Sequence, residues 1–197
     1  MSRIFLVFSV LTLLFIPQIA FAKELKYWYS DTNRIGKVKN HYLSYRNYKD
    51  GFTNSDFLKY LKHARSQWSA AGIKTFNGGD NQWTNTINWY GGSKKKLESI
   101  EPKLKNFAAI TVIDHTPLRT DTYKGKKIYN RKILKAKVYT PKKLFYSAKN
   151  YRIMFTHELG HALGYLGHST SKNDLMYSSG KKDVLTTRDK RHLSQNY

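Results

Sequence analysis

The sequence predicts one α+β domain in which most of the strands precede the helix that carries the chemistry. Phe57, Leu58, Leu61, Ala64, Trp68 and Ala71 recur at the spacing of one helix face, and Tyr151, Met154, Phe155, Leu159 and Ala162 do so again further on. Between them, residues 107–113 form a continuous apolar β run, Phe-Ala-Ala-Ile-Thr-Val-Ile. The chain contains no internal repeat and no linker long enough to divide it.

Residues 1–22 read as an export signal. Arg3 gives the positive start, residues 4–16 the apolar run, and Ala20-Phe21-Ala22 the small-residue cleavage site, so a secreted mature domain of residues 23–197 is expected. The run ends at Pro17, short of the about 20 residues a membrane-spanning helix needs. Leu25, Tyr27 and Tyr29, then Tyr42 and Tyr45, alternate with polar residues and predict an N-terminal strand followed by a polar turn. Thr53 and Asp56 have the form of a capping box that opens the first helix, and Gly72 closes it. Residues 77–81 are turn formers, 84–90 alternate as a short strand, and Gly91-Gly92 is expected to break that strand. Residues 114–132 are polar and basic, which predicts a long surface loop with at most a short strand near Tyr129. Ile133, Lys135, Lys137 and Tyr139 then alternate with Leu134, Ala136 and Val138, as in an edge strand guarded by lysines. Ser147 is placed to cap the second long helix and Gly164 to end it; Thr186 or Thr187 caps a last helix that runs through Leu193.

The 197 residues carry 35 Lys+Arg against 13 Asp+Glu, a net charge of +22, with 40% hydrophobic and 15% aromatic residues. That apolar content excludes a wholly disordered chain. Cysteine is absent, which excludes disulfides, thiolate zinc sites, iron–sulfur clusters and a cysteine nucleophile. A metal would therefore sit on His, Asp or Glu. The lysine runs Lys94-Lys95-Lys96, Lys142-Lys143 and Lys181-Lys182, with Lys124, Lys126 and Lys127, suit an anionic cell-wall polymer or membrane surface. No nucleic-acid-binding motif accompanies them, and export argues against such a partner.

The chemistry concentrates in His157-Glu158-Leu159-Gly160-His161. On a helix the two histidines lie one turn apart and can hold one Zn²⁺ at about 2.0–2.1 Å. Glu158, one residue round from the first histidine, occupies the position of a general base for a metal-activated water. A thermolysin-like third ligand would be a downstream Glu, yet no Glu follows Glu158; Asp174, Asp183 and Asp189 stand at no recognisable spacing. His168, just past Gly164, is the expected third ligand, because glycine's access to positive φ lets the chain turn sharply there. His41, His63, His115 and His192 lack ligand spacing and are expected to be structural or on the surface.

The string His157-Glu158-x-x-His161-x-x-Gly164, a following histidine and Leu175-Met176-Tyr177 resemble the metzincin clan of zinc endopeptidases, and within it the matrixin group. The clan's third histidine usually follows the glycine by three residues; His168 follows it by four. The resemblance implies a mostly parallel twisted sheet with one antiparallel edge, a zinc helix, a Met-turn and a C-terminal helix. It implies Met176 as the buried methionine beneath the metal, and peptide or protein as substrate. An extended peptide is expected along an edge strand, with residues 134–138 as the sequence's candidate. Relatives often hold structural Ca²⁺, for which Asp114 and Asp121 are the candidates here. Matrixins often carry Pro after the Met-Tyr pair where this chain has Ser178, and a chain without cysteine cannot use the thiolate latency switch of many matrixins. A monomer is expected. A different class of function, a cationic envelope-binding protein with a structural or inactive zinc site, is compatible with the same charge and motif.

Overall fold

Six strands make one sheet: β1 (Arg34–Val38), β2 (Tyr42–Asn47), β3 (Phe76–Asn77), β4 (Ile87–Ser93), β5 (Ile110–Tyr123) and β6 (Lys126–Lys142). Among the described residues four helices accompany them: α1 (Asn54–Ser69), α2 (Lys94–Glu98), α3 (Ala148–Leu163) and α4 (Thr187–Ser194). The computed structural model describes residues 24–78 and 84–197; the expected export segment and residues 79–81 of the expected turn lie outside them.

The long strand β6 is the spine of the sheet. Along one side it pairs in parallel with β1, Arg34 opposite Tyr129, and then with β4, Ile87 opposite Ala136. Beyond β4 lie β2 and β3, also parallel. Along its other side β5 runs antiparallel, joined to β6 by Lys124 and Gly125, both at positive φ as a two-residue hairpin turn requires. The fold is the mixed, mostly parallel sheet that the resemblance implies.

Four expectations about the strands need correction. Residues 25–29 form no strand; Glu24 and Ser30 make isolated bridges to Thr122 and Ser169, and the first strands are β1 and β2. Gly91-Gly92 does not break β4, because the strand continues through the pair, with Gly91 lying against the Phe57 ring. The expected loop over 114–132 is the hairpin of β5 and β6. Residues 133–139 are not an edge but the middle of β6, bonded on both sides, and on the side facing the cleft the edge belongs to β5.

Helix α1 opens where its cap predicts, with the Thr53 side chain accepting the Asp56 N–H. It packs with α3 on one face of the sheet around the rings of Phe52, Phe57, Tyr60, Trp89, Tyr151 and Phe155. Deleting one buried ring from such a cluster costs about 3–5 kcal/mol. Trp68 of α1 donates its indole N–H to the Thr156 carbonyl at 2.9 Å, which pins α3 one residue before His157. On the opposite face α2 and a 3₁₀ turn at Pro102–Asn106 cover Tyr139 with Leu97 and Leu104.

Candidate metal centre

Helix α3 carries His157, Glu158 and His161, and the ends of α3 are fixed by its own sequence. Ser147 and Asn150 form the N-terminal capping box. At the C-terminus Gly164 sits at φ +113°, its N–H bonded to the His161 carbonyl and the Tyr165 N–H to the Gly160 carbonyl, a Schellman closure. That turn also serves the site, because the Tyr165 carbonyl accepts the Nδ1–H of His161 at 2.7 Å. His157 is treated alike: its Nδ1 lies 3.1 Å from the Leu175 carbonyl.

The two carbonyls decide the tautomers. A carbonyl oxygen only accepts, so both Nδ1 atoms carry the proton and both Nε2 lone pairs are left free. These Nε2 atoms face each other at 3.0 Å. Two lone pairs at that distance repel unless a cation or proton lies between them. Burial holds both rings in the neutral form, with the pKa of His157 lowered to about 4 and that of His161 pushed well below its usual value. His168 closes the group, its ring centroid 5.3 Å from that of His157 and 5.1 Å from that of His161. One nitrogen from each ring falls within 4.8 Å of the others, and among the described residues this is the one group of three or more His, Asp or Glu side chains able to hold an ion. The residues fit a zinc ion, whose tetrahedral nitrogens stand about 3.3 Å apart.

The extra residue before His168 is absorbed by the N-terminal segment. Gly167 lies at φ +91°, and a Cβ there would collide with Asp31, Thr32 and Ser30. The Ser30 and Thr32 hydroxyls both reach the Leu166 carbonyl, at 2.8 and 2.6 Å. Asp31 accepts the His168 N–H on its carboxylate at 2.7 Å and donates its own N–H to the His168 carbonyl at 2.9 Å. Asp31→Ala is expected to weaken zinc binding about tenfold, as loss of a group that orients a ligand does, while Asp31→Asn keeps an acceptor and restores most of it. Competition with a chromophoric chelator measures both variants; equal affinity in Asp31→Ala and wild type would remove Asp31 from the site.

Glu158 is buried, and its Oε2 lies 2.6 Å from the Thr111 hydroxyl on β5. Burial raises its pKa to about 7, partly opposed by that hydrogen bond. Met176 is fully buried, and its sulfur fits against Gly160 on the inner face of α3. Asp189 of α4 holds the turn around Met176 by accepting the N–H groups of Leu175 and Met176 at 2.9 and 3.2 Å.

The three carboxylates considered as ligands are engaged elsewhere. Asp174 accepts from Ser169, Thr186 and Arg188, Asp183 pairs with Arg152, and Asp189 holds the methionine turn. Asp114 and Asp121 do not come together as the calcium expectation needs: they stand seven residues apart on β5, and Asp121 is taken by Arg119 and Asn130. His41, His63 and His192 lie away from the triad, against Lys74, Asp183 and Tyr29, while His115 lines the cleft with its Nδ1 near Arg131.

A cleft of about 570 Å³ opens over the histidines, bounded by Ala109, Ile110 and Thr111 of the β5 side, Met154 of α3, and Ser178 to Gly180 beyond the methionine. Residues 37–197 match the matrixin peptidase family. The chain belongs to the matrixin family. Membership places this matrixin among zinc metallopeptidases, with peptide or protein as its substrate class. No curated protein matches its sequence.

Sequence reasoning missed Asp31 and Thr111, and weighed Asp189 only as a ligand. Asp189 carried a signal, since it stands three residues after Thr186 as a capping-box acid. Asp31 and Thr111 carried none, because each meets the site only through the fold.

Proposed function

We propose that this matrixin is a secreted zinc endopeptidase in which His157, His161 and His168 hold the metal and Glu158 is the general base. The meeting of three imidazoles beside a buried carboxylate carries the reading. Zn²⁺, when bound there, polarises a carbonyl and acidifies water. Glu158 takes the proton of the attacking water on its carboxylate and later delivers it to the leaving amine. Thr111 fixes the carboxylate that does this, and Met176 supports the histidine helix from beneath.

The substrate lies extended along β5, not along residues 134–138. β5 pairs with β6 on one side, and its other side near Ile110 and Thr111 faces the cleft, so main-chain hydrogen bonds there orient a peptide whatever its side chains. Export by residues 1–22 supports an extracellular site of action. The test is cleavage of a peptide library before and after chelation. Activity abolished by chelator and restored by zinc is expected; stoichiometric zinc with no cleavage of any peptide would instead favour the envelope-binding protein with an inactive site.

A further inference from the structure

We propose that the turn bearing Leu144 and Phe145 is a docking tip that seats the protein on an anionic lipid bilayer. Leu144 is 94% exposed and Phe145 96% exposed, far beyond the other large apolar residues among those described. The turn is firmly built. The Tyr146 N–H donates to the Lys143 carbonyl at 3.3 Å, and the Tyr151 hydroxyl accepts the Lys143 N–H at 2.9 Å and donates to its carbonyl at 2.7 Å. Backbone hydrogen bonds and a buried tyrosine therefore hold two adjacent apolar side chains out in water.

The fold gathers lysines around this tip from three separate runs of the sequence. Exposed Lys142 is the strand partner of Ser93, and Lys95 and Lys96, also exposed, follow Ser93 in α2. On the other flank exposed Lys149, in the first turn of α3, acts on Asp183, which brings Lys181 and Lys182 alongside. The nearby carboxylates have partners of their own. Asp183 pairs with Arg152 at 2.7 Å, Glu98 with Lys94 at 3.4 Å, and Asp50 accepts the Ser93 hydroxyl at 2.5 Å.

An apolar pair within a collar of lysines matches the chemistry of an anionic membrane surface. The ammonium groups meet headgroup phosphates, and the leucine and phenylalanine pass into the acyl boundary below them. A hydrated polyanion would engage the lysines but would give Leu144 and Phe145 nowhere to go. Tyr146 and Asn150, from the same turn and helix start, line the cleft, so docking brings the metal centre to the lipid surface. The inference does not depend on the peptidase reading, since binding is measured without turnover.

Sedimentation with vesicles of phosphatidylglycerol and phosphatidylcholine, against phosphatidylcholine alone, tests it. The folded chain is expected to bind the mixed vesicles, and Leu144→Ser with Phe145→Ser to lower the partition coefficient at least about tenfold at unchanged Tm. Because the chain has no cysteine, Phe145→Cys carries a single environment-sensitive dye, whose emission is expected to shift to the blue on the mixed vesicles. No binding to those vesicles, equal binding by the double variant, or bound protein with an unshifted dye would each overturn the proposal. The last result, with full release by soluble polyphosphate, would identify a polymer-binding surface instead.

Discussion

Glu158→Gln is expected to bind zinc as the wild type does and to lose about 10²–10⁴-fold in kcat/KM. That range is what a positioned general base contributes, about 3–5 kcal/mol at 1.36 kcal/mol per tenfold. Glutamine keeps the size of the side chain and an oxygen for the Thr111 hydroxyl, so the fold and the three imidazoles should be undisturbed. Turnover within tenfold of wild type would show that another group takes the proton. The pH profile gives an independent reading of the same carboxylate. Only the ionised form accepts a proton, so kcat/KM should fall about tenfold per unit on the acid side of the Glu158 pKa. Burial sets that pKa at about 7 before the metal binds, and a nearby dication favours the carboxylate, so the acid limb of the zinc enzyme should lie below pH 7. Thr111→Val removes the hydrogen bond that lowers this pKa and should move the limb to higher pH.

Gly164→Ala should be the most damaging methyl group that can be added near the site. The residue sits at φ +113°, and a Cβ there would run into the Gly36 carbonyl of β1, whose N–H already donates to the Gly164 carbonyl at 2.9 Å. Strain and collision together are expected to cost about 3 kcal/mol, lowering Tm by roughly 10 °C for a domain of this size. Zinc affinity should fall as well, because the displaced turn carries the Tyr165 carbonyl that orients His161. Gly72→Ala is the control. Gly72 also has a positive φ, +84°, but open space where its Cβ would lie, so it should show the conformational cost alone, about 1–2 kcal/mol. Equal losses in the two variants would mean that the approach of β1 to the end of α3 is not tight.

What the sequence disclosed follows from which forces act locally. The helices α1, α3 and α4 were legible because their caps and periodicity lie within a few residues: Thr53 with Asp56, Ser147 with Asn150, Thr186 with Asp189. The histidine triad was legible because two members share a helix face and the third follows its end. The β5–β6 hairpin was not. Its residues 114–132 are mostly polar and basic with few large apolar groups, and Pro117 and two register shifts interrupt the pattern. The lysines of 133–139 misled for a related reason. Side-chain alternation reports which face of a strand is wet, whereas its edges are occupied by backbone partners that leave no mark on the sequence. Thus Ala136 and Val138 pack inward, and the strand nevertheless lies between β4 and β5.

The contacts that complete the site span almost the whole chain. Asp31 meets His168 across 137 residues, the Asn196 side chain reaches the Gly36 carbonyl across 160, and Gln195 reaches Tyr27 across 168. Such long closures come after local helices in folding. A polypeptide growing from its first residue thus possesses the motif-bearing helix before Asp189 and Asn196 have been synthesised, so the brace on the methionine turn and the tie to β1 are added to that helix afterwards.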